Sequence, residues 1–345
     1  MPLTDLSLAE CLAYRPVVPE PPDLDAFWAA TLEGDRSTAD GEAGSRFVPV
    51  GTGLSLVETF DVAFAGFGGE EVRGWLHLPA GTSAPLPCVV QFQGYGEGRG
   101  LAWQQQFWAV AGYAHFVMDT RGQGWGSLPG ATPDGAGRAA GEPSPITWGL
   151  RSPHDYYYRR VFADAVRACE VVAGHPMVDA GAVVVAGASQ GGGIALAAAA
   201  LVPGLRGAMV DVPFLADVRR AVDICGVPPY ADLATVLRHR PWTAEAALRT
   251  LGYFDVAALA SRASAPALFS VAMMDPVCPP STCFAAYHRY GGPKQLRVYE
   301  FADHAGGEAT HLGEQVGWLA SLLGGPSSGS SGEDDLQTSR GGDLG

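Results

Sequence analysis

The chain has 345 residues, 47% of them hydrophobic and 17% charged, and a formal net charge of −14 at pH 7. That length allows one large α/β domain or two ordinary ones, with apolar content enough for a sizeable core. The acidic balance argues against nucleic acid or an anionic membrane surface as a partner, and no apolar run approaches the roughly 20 residues of a membrane span.

What remains suits a soluble enzyme of neutral small molecules. The first ten residues carry Asp5 and Glu10 and no basic residue, so they are not read as a secretory signal. The six cysteines (Cys11, Cys88, Cys169, Cys225, Cys278, Cys283) are scattered, without Cys-x-x-Cys or Cys/His metal spacing. They are expected to be buried free thiols in a reducing cytoplasm, and no metal or cofactor is expected.

In chain order, Pro16 to Pro22 form a connector. Asp23 or Asp25 then caps a short helix whose Phe27 and Trp28 pack on the body. Residues 56–65 and 71–78 read as two strands joined by the turn Gly66-Phe67-Gly68-Gly69, a β-hairpin extension. Its Val72, Trp75 and Leu76 either cover the main sheet's edge or form an interface. Cys88 to Phe92 is a buried strand running into Gln93-Gly94-Tyr95-Gly96. An apolar helix is predicted over Leu101 to Ala111, then a strand over Ala114 to Met118 that ends in Asp119-Thr120-Arg121-Gly122-Gln123-Gly124. Arg121 is read as structural, a guanidinium tying adjacent loops together. Residues 127–153 form a long loop, and Tyr156 to Ala168 an amphipathic helix.

Val183-Val184-Val185 then leads into Gly187-Ala188-Ser189-Gln190-Gly191, with an Ala-rich helix from Ile194 to Leu201. Strand, sharp turn and small-residue helix are the context of a nucleophile elbow. The turn exposes the serine hydroxyl, the glycines let strand and helix pass closely, and the helix N-terminus aims unpaired N–H groups at the space above.

Gly207 to Asp211 is a further strand, and residues 213–250 a helical insertion broken at Pro228, Pro229 and Pro241. Leu268 to Ala272 is a strand ending at Asp275. Gln295 to Phe301 is the last strand, ending at His304, and Ala309 to Leu323 a closing helix. From Gly324 onward Gly, Ser and acidic residues dominate, and residues 324–345 are expected to be a disordered tail. The expected architecture is a single α/β domain over 1–323, with a mostly parallel central sheet flanked by helices.

Nucleophile, acid and histidine in the order Ser189, Asp275, His304 follow the α/β-hydrolase arrangement. Serine needs a base, imidazole titrates in the right range, and a carboxylate fixes its tautomer. Asp211, which also ends a strand after the elbow, is the alternative acid. The loop after the strand at Cys88–Phe92 supplies the second oxyanion donor in such folds, so the backbone N–H of Tyr95 joins that of Gln190. Trp125 and Pro228 crowd the entrance and, with Tyr95, are expected to bound a small acyl space.

These stretches, taken together, resemble the acetyl xylan esterases and cephalosporin-C deacetylases of carbohydrate esterase family seven. The matching residues include Asp25 to Trp28, the Asp61 to Pro79 hairpin, Gln93-Gly94-Tyr95, Arg121 to Gly124, Gly187 to Gly191, Asp275-Pro276-Val277-Cys278-Pro279-Pro280-Ser281-Thr282, and His304 with Gly306-Gly307. The resemblance covers nearly the whole chain from about residue 10 to 323. It implies the same triad and oxyanion donors, release of acetate from acetylated xylo-oligosaccharides and cephalosporin C, and a homohexamer. Two positions depart from the family's habit: Gln93 stands where many members have His, and Ala305 where Glu is usual. Other readings are another serine hydrolase on the same scaffold, such as a peptidase or a dienelactone-type enzyme, and a non-catalytic binding protein, which a broken triad would favour.

Overall fold

The computed structural model describes residues 5–39, 44–136 and 141–324, the side chains of 35–39 excepted. Within them nine strands form one sheet: β1 (Arg46–Val50), β2 (Val57–Ala65), β3 (Glu71–Pro79), β4 (Leu86–Phe92), β5 (Ala114–Met118), β6 (Val178–Ala188), β7 (Gly207–Asp211), β8 (Ala267–Ala272) and β9 (Lys294–Tyr299). The spatial order is β1-β2-β3-β5-β4-β6-β7-β8-β9. From β5 to β9 every pairing is parallel, and β1, β2 and β3 extend the sheet antiparallel.

The central strands are apolar on both faces. Val90, Val185 and Val210 point into the main core with Phe162, Ile194 and Leu196. Val89, Val184 and Met209 point the other way, against Trp108 and Leu319. A strand buried on both sides reads as a continuous apolar run, which is why Val183-Val184-Val185 shows no alternation. Helices Tyr157–Ala173 and Gln190–Leu201 cover the first face, and Glu308–Leu323 covers the second.

The hairpin of β2 and β3 covers the sheet's edge: Leu76 pairs with Phe116 of β5 and is wholly buried. Trp75 is only 8% exposed. Its indole donates to the Gly100 carbonyl (3.0 Å), and the Arg99 guanidinium lies over its ring. Of the two readings of these residues, covering the sheet's edge is the one seen: the loop at 99–102 folds back over Trp75, and Leu76 lies on the other face in the main core. The predicted Leu101–Ala111 helix is corrected, shrinking to Phe107–Val110. Gln105 sits at φ +54, outside helical space, and the Gln104 and Gln105 side chains bond the Leu101 N–H and Arg99 carbonyl instead.

The insertion is helical as expected, over Val218–Ile224, Tyr230–His239 and Ala244–Gly252, with breaks at the prolines. Leu24–Ala39 is longer than read, with Phe27 and Trp28 buried. All six cysteines are free and buried. Among the described residues no helix is long and apolar enough to cross a membrane. The expected tail lies, after Gly324, outside the described residues.

Candidate active site

Ser189 joins β6 to the helix Gln190–Leu201 at φ +57, ψ −121. An L-residue rarely holds that conformation, and it turns the side chain out of the strand-to-helix path. The backbone around it is clamped. Ser189 N–H donates to the Asp211 carbonyl (2.9 Å), and the Ser189 carbonyl accepts from Phe214 (2.9 Å) and Gly193 (3.0 Å). A Cβ at Gly187 would lie 2.3 Å from the Gly191 carbonyl carbon, and one at Gly191 2.2 Å from the Phe92 carbonyl oxygen. Both glycines are therefore required by close backbone approach.

His304 follows β9 and bridges the serine to an acid. Its Nε2 lies 2.9 Å from Ser189 Oγ and its Nδ1 2.8 Å from Asp275 Oδ2. The other carboxylate oxygen, Oδ1, accepts the N–H groups of Val277 (2.7 Å) and Cys278 (2.9 Å). The Asp275 side chain is fully buried while His304 is 30% exposed, so the carboxylate is fixed and the imidazole reaches solvent. The alternative acid, Asp211, points elsewhere, to Ser270 Oγ (2.8 Å), His311 Nε2 (2.6 Å) and Gln315 Nε2 (2.7 Å).

Cys278, Asp275 and His304 each place one donor atom within 4.8 Å of the others, a conceivable metal set. Burial, then the Asp275 charge, pushes the Cys278 thiol well above its usual range, and a protonated thiol is a poor ligand. Both Asp275 oxygens and both imidazole nitrogens are already engaged.

A sequence-family model described as acetyl xylan esterase (AXE1) matches residues 1–322. The chain belongs to the acetyl xylan esterase family. It is thereby a carboxylic ester hydrolase, with acetyl esterase activity. The chain is 34% identical to an acetyl xylan esterase from Paenibacillus sp. R4, covering 92% of this chain and 99% of that one at a TM-score of 0.84. It is 30% identical to acetyl xylan esterase 1 from Thermoanaerobacterium sp. JW/SL YS485, with the same coverage and a TM-score of 0.83. Among curated proteins, the acetyl esterase Axe7A of Xylanibacter ruminicola is 25% identical over 316 residues, 88% of this chain and 68% of that one.

In this esterase the loop Gln93–Gly96 is held on the elbow by side-chain amides. Gln190 Nε2 donates to the carbonyls of Gln93 (3.3 Å) and Gly94 (3.1 Å). Gln190 Oε1 accepts from Gln123 Nε2 and Tyr158 OH, both 2.8 Å. Gln123 Oε1 in turn accepts Gly96 N–H (2.6 Å). The network leaves the Tyr95 and Gln190 backbone N–H groups without a protein acceptor among the described residues, the condition for donors that await an oxyanion.

Tyr95 is half-buried and its ring packs edge-on against Trp125 and Phe214. Burial pushes its phenol up to about 12, so it stays protonated. Trp125 is 57% exposed at the rim. Pro228 is exposed on the turn before Tyr230–His239, where Cys225 Sγ contacts the Pro276 carbonyl oxygen (3.1 Å). This places the turn beside the Asp275 loop. Arg121 is structural as read: its guanidinium is buried and grips Asp164 through two bonds (2.6 and 2.8 Å) and Glu70 through one (2.5 Å). Sequence reasoning missed Gln123 and Tyr158 as supports of the loop. Their signal was the Arg121-Gly122-Gln123-Gly124 turn and the triple tyrosine Tyr156 to Tyr158.

Proposed function

We propose that this esterase removes acetyl groups from acetylated carbohydrates, xylo-oligosaccharides among them, and from the acetoxymethyl group of cephalosporin C, through an acyl-enzyme on Ser189. The observation that carries the reading is His304 bridging Ser189 Oγ and Asp275 at 2.9 and 2.8 Å. Ser189 Oγ attacks the acetyl carbonyl carbon while His304 Nε2 takes its proton, and Asp275 holds the imidazole tautomer and stabilises its cation. The carbonyl oxygen gains negative charge facing the N–H groups of Tyr95 and Gln190. Collapse breaks the acyl–oxygen bond, and His304 returns the proton to the departing alcohol oxygen. Water then repeats the cycle with His304 as base, releasing acetate and restoring Ser189.

Names of the relatives support the acetylated sugar as substrate class. The Tyr95 and Trp125 rings beside the elbow support a small acyl space. The test is kcat/KM on p-nitrophenyl acetate, butyrate and octanoate, beside an acetylated xylo-oligosaccharide and cephalosporin C. Acetate is expected to lead. One methylene is worth only about 1–3 kcal/mol, so the loss accumulates and octanoate should be nearly excluded. Octanoate equal to acetate would overturn the small acyl space, and inactivity on both natural-type acetates would overturn the substrate.

The chain is further proposed to act as a homo-oligomer, a hexamer by resemblance, in a reducing cytoplasm. Buried free cysteines support the compartment. Support for assembly is the exposure of Leu101 (41%), Trp103 (59%), Phe107 (43%) and Val110 (67%) within one short segment, since apolar exposure of this density marks contact surfaces. Light scattering at the 35.9 kDa monomer mass would refute it.

A further inference from the structure

The carboxylate bonded to His304 sits at the head of a loop, Asp275 to Pro279, that runs straight into the helix Pro280–Arg289. Its Oδ1 is set by two N–H groups of that loop, those of Val277 and Cys278. Where the loop lies therefore decides where the acid lies. Three side chains from distant parts of the chain hold it. Cys225, at the end of the insertion helix Val218–Ile224, sets its thiol against the Pro276 and Val277 carbonyls (3.1 and 3.7 Å). From the same helix, Arg220 Nε donates to Ser281 Oγ (2.5 Å). Asp5 accepts the Ser281 N–H on Oδ2 (2.8 Å) and Arg220 Nη2 on Oδ1 (2.7 Å).

Asp5 comes 276 positions before Ser281, yet its side chain is 2% exposed and that of Arg220 25%. A carboxylate so buried needs a partner for its charge, and it has one that also reaches the same serine. Asp5 further meets the first turn of the helix, where negative charge is favoured. Only Pro279 and Pro280 separate Cys278 from Ser281. Their rings fix φ, so an anchor at Ser281 reaches the Cys278 N–H with little slack. The other end of the helix has a separate grip: His288 Nε2 meets the Cys11 carbonyl oxygen (3.2 Å), and Glu20 accepts from Arg289. Asp5 and Glu20 thus tie opposite ends of one helix, and Asp5 is the one at the acid's end.

We propose that Asp5 and Arg220 are positioning residues for the esterase reaction, pinning Ser281 and, through it, the loop that carries Asp275. The proposal rests on the triad reading above. It is tested on the full chain by turnover of p-nitrophenyl acetate and by the proton resonance of His304 Nδ1, assigned by its loss in His304→Gln. In Asp5→Ala, kcat should fall roughly tenfold, less than the roughly hundredfold of a 1 Å misplacement. KM should stay within about twofold, because the acid acts on the transition state. The Nδ1 resonance should move upfield or broaden as its bond to Asp275 loosens. Arg220→Lys keeps the charge but loses the second nitrogen that reaches Ser281, so it should lower kcat by a smaller factor. It serves alone if the alanine variant does not melt cooperatively. Glu20→Gln, which weakens the grip at the other end of the helix, should leave kcat and the resonance as in wild type. Wild-type kcat with an unmoved resonance in a folded Asp5→Ala or Arg220→Lys would overturn the positioning role. An equal loss from Glu20→Gln would overturn it too, since any loosening of the helix would then suffice. A wild-type protein inert toward p-nitrophenyl acetate would instead overturn the triad reading, while the resonance, read without turnover, would still decide whether Asp5 pins Asp275.

Discussion

Two aspartate–histidine pairs stand at the carboxyl ends of neighbouring parallel strands, Asp275–His304 after β8 and Asp211–His311 after β7. Their hydrogen-bond lengths are alike, 2.8 and 2.6 Å. They differ in which ring nitrogen faces the acid and in what the other nitrogen meets. His304 gives Nδ1 to its acid and turns Nε2 to an aliphatic hydroxyl, with 30% of its side chain exposed. His311 gives Nε2 to its acid and turns Nδ1 to the Tyr299 phenol (3.0 Å), with 6% exposed. Burial, then the charges of Glu314 and Asp211, pushes that phenol up to about 12, so Tyr299 keeps its proton. One pair meets a serine hydroxyl and solvent, the setting the proposed base needs; the other is a buried clasp joining β7, β9 and the closing helix. An acid and a histidine at strand ends do not define a site; the third partner and access to solvent do.

The sharpest way to break the comparison is Ser189→Ala. Turnover should fall about a million-fold with the fold intact, measured on p-nitrophenyl acetate beside a melting curve. A folded variant keeping a sizeable share of activity would sink the nucleophile. Next, Asp275→Asn should cost on the order of ten-thousand-fold in kcat, because an amide favours the wrong imidazole tautomer.

Asp211→Asn should do the reverse. An amide cannot accept at every contact that Ser270, His311 and Gln315 make, so stability should fall by about 1–3 kcal/mol while turnover stays far nearer wild type. Denaturant unfolding and kcat on both variants decide it, and greater catalytic damage from Asp211→Asn would reverse the assignment of the acid.

A histidine pair without any carboxylate sharpens the contrast further. His77 and His115 face each other across β3 and β5, and His77 Nε2 and His115 Nδ1 have no partner among the described residues. Burial pushes the His77 imidazole down to about 4, and burial, then His77, pushes His115 well below its usual value. The unfolded chain takes up these protons near pH 6.5. Stability is thus complete above about pH 6.5 and falls as pH drops toward 4, by roughly 1.4 kcal/mol per unit for each histidine. His77→Gln should flatten that fall in Tm, and an unchanged slope would show that the pair does not carry it.

The elements around the site were legible because they are local. Strand, glycine turn and helix lie within one stretch around Ser189, and Asp275 and His304 each follow a strand. Strand β1 was not read: it is short, contains Pro49 and lies at the sheet's edge, where proline is tolerated but leaves little pattern. Trp75 could be read either as edge cover or as an interface residue, because nothing in its neighbourhood announces that Gly100 and Arg99 return to cover it. Gln123 meets Gln190 across 67 positions and His311 meets Asp211 across 100. Side-chain bonds at such separations leave no periodicity to find.

The dihedrals of Ser189, φ +57 and ψ −121, set activity against thermostability at a single residue. They match the first central position of a type II′ turn, which glycine occupies without strain. Replacing the serine by glycine removes the proposed nucleophile and releases that strain, so the variant expected to be inert should melt at a higher temperature than the wild-type protein. The fold is then most comfortable in the form that cannot react. The clamps from Asp211, Phe214 and Gly193 serve less to build the domain than to keep one serine where the backbone would rather not hold it.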